Sequence, residues 1–292
     1  NPQYNPLDPD IPLSAAINNA KTQDERDSIK HYSQDYTKRK SVNFTNVKVT
    51  KGGQSKPKVY DLSNWSLTYS YNELFSRNVN TEFSLRKDYH GAISYNYNTR
   101  PKNIQPFKKS KSKFLKSSAM RLIKDFNFYY LPQQMSFRTN LDRMYQETKL
   151  RNINSPNIII PTTFQKDFSW NRMYDLKYDL SRTFKLDFSA TNIARIDEPE
   201  GKIDKDDDDY EWKRDSIVQN LYDFGRTTNY RHSINANWNV PINKIPILNF
   251  MSANARYNAT YDWTTGPIMP DSLNIDLGNT IKNSNTLQVT PQ

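Results

Sequence analysis

Residues 79–98 read VNTEFSLRKDYHGAISYNYN, and this stretch decides the fold. Its odd positions, from Val79 to Tyr97, are mostly apolar or aromatic, while its even positions, from Asn80 to Asn98, are mostly polar. Alternation with a period of two is typical of a β-strand that has one apolar and one polar face. Because strands of globular proteins usually have about 3–10 residues, the stretch predicts an unusually long strand.

The same alternation recurs along most of the chain, and the connections between the predicted strands alternate between long and short. It predicts about nine strands, joined by tight turns such as Ser181-Arg182 and by three long loops. Residues 1–40 are expected to be an irregular or helical, plug-like segment, and the C-terminal tail is expected to start another strand near 280–290. The predicted strands are 41–50, 60–72, 78–98, 125–131, 133–149, 164–180, 182–195, 227–240 and 247–263, and the predicted long loops are 99–124, 150–163 and 196–226.

The composition is unusual for a soluble domain. The 292 residues carry a formal net charge of +10, and only 35% of them are hydrophobic, whereas 13% are aromatic. An ordinary domain is about 45–50% apolar, and disordered chains are poor in aromatics. A membrane barrel reconciles these values, because each strand offers one face to lipid and the other to water, so that no apolar core is needed.

The predicted fold class is therefore all-β: a section of an antiparallel up-and-down transmembrane β-barrel in the cell outer membrane, with long loops on one rim and tight turns on the other. The polar face carries nearly balanced charges, which is typical of a wide lumen rather than an ion-selective pore. The predicted lumen-lining residues are Arg86, Asp88, Arg138, Asn140, Asp142, Asp167, Asn171, Asp175, Lys177, Asp187, Arg231, Asn235, Arg256 and Asn258. The predicted lipid-facing residues are Phe83, Leu85, Ile93, Tyr95, Phe137, Leu141, Phe168, Trp170, Tyr174, Leu176, Phe188, Ile234, Trp238, Tyr257 and Tyr261.

The predicted barrel is incomplete. Closed single-chain bacterial barrels have an even number of strands, and two exposed edges of long aromatic strands would aggregate. The sequence starts with Asn1-Pro2-Gln3, without Met and without a basic and then apolar signal region. We therefore expect either that a signal has been removed or that the chain is an internal section of a larger barrel.

Catalytic, metal and cofactor functions are not expected. The chain has no Cys and only three His, and it lacks a Gly-rich phosphate loop and a nucleophilic Ser elbow. The acidic run 204–209 lacks the Gly and the distal Glu of a calcium loop, so it predicts a solvated loop. The basic stretch 108–124 predicts a rim loop that meets anionic headgroups or partner proteins. His90 is placed on the polar face beside Asp88, and His232 is interpreted as a surface or interface position.

Several short segments between residues 11 and 201 are similar in sequence to one known family. They are IPLSAA at 11–16, DERDSIKHY at 24–32, LRKDY at 85–89, NTRPK at 98–102, PFKKS at 106–110, IKDFNFYYLP at 123–132 with FRTN at 137–140, and SATNIARIDEPEG at 189–201. Together they resemble the SprA/Sov family, the giant outer-membrane translocon barrel of the type 9 secretion system, which is also tied to gliding motility.

The resemblance implies a single-chain barrel of about 36 strands that passes folded cargo proteins from the periplasm to the cell surface. It also implies partners: outer-membrane lipid, the remainder of the same barrel, a smaller outer-membrane barrel and a periplasmic plug at a lateral opening, and secreted cargo, but no nucleic acid. Two alternatives stay open on the residues alone. One is a soluble or surface β-rich adhesin or scaffold that binds protein partners, and the other is a basic nucleic-acid-binding protein whose aromatics stack on bases.

Overall fold

A computed structural model of the chain describes residues 2–6, 8–50, 52, 58–109, 117, 120–152, 158–267 and 277–291. These residues are 53% strand and 17% helix, so the fold is mostly β, as predicted. In chain order the strands are β1 (Tyr4–Asn5), β2 (Asp8–Pro12), β3 (Tyr36–Val47), β4 (Trp65–Arg77), β5 (Thr81–Asn98), β6 (Gln134–Leu150), β7 (Thr163–Asp179), β8 (Phe184–Arg195), β9 (Arg226–Val240), β10 (Ala253–Thr264) and β11 (Thr280–Pro291).

The helices lie outside the main sheet. At the N-terminus of α2, the Thr22 side chain accepts a hydrogen bond from the Glu25 amide at 3.2 Å, and the Glu25 carboxylate accepts one from the Thr22 amide. This capping box explains why the helix begins there. The helices are α1 (Leu13–Asn19), α2 (Gln23–Ser33), α3 (Arg121–Lys124) and α4 (Tyr210–Tyr222), with 3₁₀ turns at Leu62–Asn64, Ile242–Lys244 and Pro246–Leu248.

Strands β3 to β11 form one antiparallel sheet in which each strand pairs with the next one in sequence. Strands β1 and β2 form a separate hairpin. Among the described residues, the large sheet is not closed into a barrel. Its edges are β3 and β11, and both are exposed along their whole length. The sheet is therefore a continuous meander with two open edges.

One predicted strand, 125–131, is not formed. Phe128 makes only an isolated bridge with Ile104, and the Tyr129 amide donates to the carbonyl of Leu180 at 3.1 Å. The segment is extended, but it lies across the ends of other strands and ends at Pro132, which has no amide hydrogen to donate. The sheet still has nine strands within the described residues, because the tail near 280–290 forms β11.

The connections do not divide between the two ends of the sheet as predicted. At one end of the sheet, which we call the first rim, the strands are joined by residues 48–64, 99–133, 180–183 and 241–252. At the opposite end, the second rim, they are joined by residues 78–80, 151–162, 196–225 and 265–279. Each rim thus has both long connections and a tight turn, and the predicted separation is wrong. The cause is the strand predicted at 125–131, which added a crossing and moved every later connection to the opposite rim.

Other strand boundaries differ by a few residues. Strand β3 begins at Tyr36, within the segment predicted to be irregular, and β4 begins only at Trp65. Residues 60–64, predicted as strand, contain the 3₁₀ turn Leu62–Asn64. Here the Asp61 side chain accepts a hydrogen bond from the Lys58 amide at 2.8 Å, and a side chain that satisfies the backbone in this way favours a turn.

Candidate functional site

The two faces of the large sheet form the candidate functional site. In an antiparallel sheet, directly paired residues share a face, so the register assigns every strand residue. Tyr95 pairs with Trp65 and with Phe137, and Phe137 pairs with Tyr174. The Trp65 and Tyr95 rings lie 5.0 Å apart. All residues predicted to face lipid lie on this side, which we call the aromatic face, and all residues predicted to line the lumen lie on the other side, the polar face.

Charged residues are absent from a wide part of the aromatic face. On β5 the last charged side chain on this face is Lys87, and the positions from Tyr89 to Tyr97 are uncharged. On β9 and β10, the face carries no Lys, Arg, Asp or Glu from Tyr230 to Val240 or from Ala253 to Trp263. We call this region the uncharged band. On these strands its depth matches the roughly 9–11 residues that a strand needs to cross a bilayer.

Charges of the aromatic face lie on β3 to β7, towards the second rim. The residues closest to the uncharged band are Lys40, Glu73, Lys87, Arg143 and Arg172. Lys40 donates to Glu73 at 2.7 Å on the neighbouring strand. The boundary of the band therefore follows one row of paired residues from Lys40 to Lys87 and is displaced towards the first rim at Arg143 and Arg172.

The polar face is hydrogen-bonded and nearly neutral throughout. Arg86 binds Asp88 at 3.0 Å, and Arg231 binds Asp262 at 3.2 Å. Side chains also bond across strands, as Ser189 does with Ser233 at 2.8 Å. Because ion pairs between exposed groups leave little net field, this face offers many weak polar contacts and no region of a single charge sign.

The connection 196–225 folds back over the aromatic face, and we call it the strap. The Arg143 guanidinium donates to Glu198 at 2.5 and 3.0 Å, and the Glu198 side chain is only 3% exposed. Lys166 donates to the Pro199 carbonyl at 2.7 Å. A buried carboxylate needs such partners, because an unpaired charge out of water is very costly. The sequence predicted a long loop at 196–226 and gave no sign of this contact.

The end of the strap is fixed by aromatic and backbone contacts. The Phe224 ring stacks on Trp170 at 5.5 Å, and the Arg172 guanidinium lies 5.1 Å from the Trp170 ring. Phe224 and Gly225 have φ values of 61° and 71°, in the left-handed region. A Cβ on Gly225 would lie 2.8 Å from Ile196 Cδ1, so glycine is required both by the backbone and by the close approach.

The strap and the segment that contains Val59 cover some residues that were predicted to face lipid. Trp170 is stacked by Phe224, and Leu141 and Phe168 line a cleft under α4. Tyr95 is only 6% exposed, and its hydroxyl donates to the Val59 carbonyl at 2.7 Å. For these residues, protein atoms occupy part of the space where lipid was expected. Ile93, Tyr174, Trp238 and Tyr257 remain exposed.

Arg226 and Asp197 join the strap to the start of β9. Arg226 Nε donates to Asp197 Oδ2 at 2.8 Å, and Nη2 donates to Oδ1 at 2.9 Å. These two donors lower the pKa of the Asp197 carboxyl, because they stabilise its charged form. The Asn220 side chain also donates to the Asp197 carbonyl at 2.9 Å. The strap is therefore attached to the sheet at both of its ends.

No protein-family model and no curated protein matches the chain. The resemblance to the SprA/Sov family thus depends on the quoted segments alone. None of the helices in the described parts of the chain has both the length and the apolar character that crossing a membrane requires.

The remaining residues singled out in the sequence have local partners. Asp204 accepts from Lys202 at 2.5 Å, and Asp209 binds Lys213 at 2.7 Å across one turn of α4. His90 pairs with Asp142 of β6 at 2.5 Å, a partner that the sequence did not reveal because it is on another strand. His232 stacks on Tyr261 at 5.2 Å on the aromatic face. Much of the basic stretch 108–124 lies outside the described residues.

Proposed function

We propose that this chain is a section of a large outer-membrane β-barrel that conducts folded cargo proteins from the periplasm to the cell surface. The observation that carries the proposal is the uncharged band, which is as deep as a lipid-crossing strand on β5, β9 and β10 and is confined to one face of the sheet. A soluble sheet has no reason to remove charges from a face of this extent on which residues such as Trp238 and Tyr257 are exposed.

The polar face supports a conducting role in this proposal. Its ion pairs, such as Arg86–Asp88 and Arg231–Asp262, cancel locally, and many of its uncharged positions are Asn, Ser and Thr, as in the Ser189–Ser233 pair. A wall of this kind attracts no particular charge, and its exposed apolar side chains, such as Met173 and Ile193, are scattered among polar ones. Folded cargo of varied charge would therefore pass without strong adhesion.

The open edges of the sheet support the remaining parts of the proposal. Strands β3 and β11 each present a row of backbone donors and acceptors with no partner strand among the described residues. In the proposed barrel these edges pair with further strands of the same protein, since a membrane leaves no other partner for them. The smaller barrel, the periplasmic plug and the secreted cargo enter the proposal through the resemblance to the SprA/Sov family.

The proposal is tested by a matched pair of substitutions on neighbouring residues of β10. Tyr257 is on the aromatic face near the middle of the uncharged band, and Asn258 is on the polar face; both are exposed in the isolated sheet. We expect Tyr257→Arg to destabilise the membrane-inserted form by about 2–4 kcal/mol and Asn258→Arg to have little effect. Flotation of the full chain with phospholipid vesicles, and its dependence on detergent, measures the difference.

A second candidate function is a β-rich surface scaffold that binds protein partners in water. The strap favours it, because it covers part of the aromatic face with protein and buries Glu198 there against Arg143. In that case Tyr257→Arg and Asn258→Arg should both be tolerated, and the chain should stay in solution without detergent.

A further inference from the structure

The connections at the two rims of the large sheet carry opposite net charge. Among the described residues, the four connections of the first rim contain ten Lys and Arg residues and two Asp residues. Those of the second rim contain five Lys and Arg residues and 11 Asp and Glu residues. The sequence predicted one basic rim loop at 108–124, and the topology brings the basic connections 48–64, 180–183 and 241–252 to the same rim. The sheet is therefore positive along one end and negative along the other.

The cations of the first rim are available to a partner. Lys108, Lys109 and Arg121 are exposed, and none of the three has an ion-pair partner within the described parts of the chain. At the second rim the cations are largely neutralised. There Lys202 binds Asp204 at 2.5 Å, and Lys213 binds Asp209 at 2.7 Å. An anion therefore meets free cations only at the first rim.

Exposed apolar side chains lie among the first-rim cations. Phe107 directly precedes Lys108 and is exposed. In the connection 241–252, Ile247 and Phe250 are 83% and 78% exposed. Lysines and arginines beside exposed aromatic and aliphatic side chains are typical of protein surfaces that lie in the headgroup region of a membrane. The first rim thus combines the two kinds of side chain that such a surface needs.

We propose that the first rim binds the phosphate groups of anionic phospholipids in one leaflet, and that the acidic second rim lies on the other side of the membrane. The cations belong to connections that extend from β3 to β10, seven strand spacings or about 34 Å. A continuous anionic surface can contact all of them at once. The lipid phosphates accept hydrogen bonds from the lysine and arginine side chains, and the apolar side chains enter the headgroup region beside them.

The proposal implies that the sheet takes one orientation in a membrane whose two leaflets differ in charge. The leaflet richer in anionic lipid attracts the first rim and repels the second. This inference rests on the proposed function, because only an inserted sheet places its two rims at two leaflets.

Flotation of the full chain with vesicles tests the headgroup contact. The probes are vesicles of phosphatidylcholine and vesicles of an equimolar mixture of phosphatidylcholine and phosphatidylglycerol. We expect tighter binding to the mixed vesicles, and we expect high salt to remove this gain, because salt screens exposed charges. Lys108→Gln combined with Lys109→Gln should weaken binding to the mixed vesicles roughly 30-fold, since each lysine near an anionic surface contributes about fivefold.

The matched control is Lys202→Gln combined with Lys205→Gln, which makes the same change in net charge within the strap. It should leave binding to the mixed vesicles unchanged. All four side chains are exposed, so neither pair of substitutions should disturb the fold. Equal loss in both variants would overturn the proposal. Full binding by the variant of Lys108 and Lys109 would also overturn it and would favour another anion, such as an acidic protein segment, as the partner of the basic rim.

Thiol labelling tests the orientation, because the chain has no Cys of its own. Ser117→Cys places a thiol at the first rim, and Asp207→Cys places one at the second. In vesicles with phosphatidylglycerol only in the outer leaflet, a membrane-impermeant maleimide should label Ser117→Cys directly and Asp207→Cys only after lysis. In vesicles of phosphatidylcholine alone the two should be labelled equally. Equal labelling in the asymmetric vesicles would refute the orientation.

Flotation also separates failure of this inference from failure of the proposed function. A chain that floats with phosphatidylcholine vesicles and gains nothing from phosphatidylglycerol refutes the headgroup contact alone. A chain that floats with neither kind of vesicle refutes both proposals.

Discussion

Replacing Glu198 by alanine tests whether the strap is held on the aromatic face by its buried ion pair. The substitution removes the partner of Arg143 and leaves that guanidinium on an apolar surface. Loss of one partner of a buried ion pair costs about 3–5 kcal/mol. The Arg143 side chain keeps 30% of its exposure, so water can partly replace the carboxylate. We therefore expect Glu198→Ala to lower the free energy of strap opening by about 2–3 kcal/mol.

Amide hydrogen exchange of residues 196–225 measures this free energy directly. A loss of about 2–3 kcal/mol corresponds to exchange that is roughly 30- to 150-fold faster. The control is Glu200→Ala in the same segment, where the side chain is exposed. Replacing both partners, with Arg143→Met and Glu198→Leu, should restore most of the protection, because an apolar pair needs no desolvation. Exchange in Glu198→Ala that is no faster than in Glu200→Ala would refute the reasoning.

The other predictions concern the ends of the strap. Gly225→Ala should destabilise the strap by about 1–3 kcal/mol, because the position has a left-handed backbone and a Cβ would contact Ile196. The control in the same hydrogen-exchange measurement is Gly91→Ala, whose Cβ would meet no atom within 4 Å. Asp197, whose pKa is lowered by Arg226, should stabilise the strap above about pH 4, and this contribution should be lost as the pH falls through the lowered pKa. Asp197→Asn should remove that part of the pH dependence of exchange, and an unchanged pH profile would contradict the assignment.

The faces of the sheet could be predicted from the sequence because alternation is a local property of each strand. Residues as far apart in the chain as Phe83 and Tyr261 were placed on the correct side relative to all the others. A period of two fixes the face within a strand, and burial of apolar residues on one side fixes the register between strands. The same alternation predicted the long strand β5 and the further strand at the C-terminal tail.

Long-range pairs could not be predicted in this way. His90 and Asp142 are 52 positions apart, and Arg143 and Glu198 are 55 positions apart. Such contacts depend on which strands become neighbours and on how a connection folds back, and neither is visible in a local pattern.

The strand predicted at 125–131 shows a second limit of prediction from a local pattern. Phe126, Phe128 and Tyr130 alternate with other residues, but alternation does not separate a paired strand from an extended segment that crosses strand ends.

The boundary of the uncharged band is stepped and does not follow a straight line. Lys40, Glu73 and Lys87 lie in one row of paired residues, which continues through Tyr145 to Lys166 of β7. The boundary on β7 is Arg172, six positions further along that strand. At about 3.3 Å per residue this is a rise of about 20 Å, and all of it occurs over the two strand spacings, about 10 Å, from β5 to β7. The boundary therefore follows a row from β3 to β5 and rises steeply towards the first rim on β6 and β7.

The ends of the strands at the first rim give a geometric argument for tilted strands. Asn98, at the end of β5, lies in a row that continues through Lys177 to Asn235 of β9. Strand β9 ends at Val240, five positions beyond that row, which gives an inclination of about 40° over the four strand spacings from β5 to β9. Strands of transmembrane barrels are tilted by about 35–45°. A sheet tilted by this amount brings the strand ends of the first rim parallel to one plane, as a flat bilayer requires. A soluble sheet has no plane to which its strand ends must conform, so this inclination favours the membrane proposal over the scaffold.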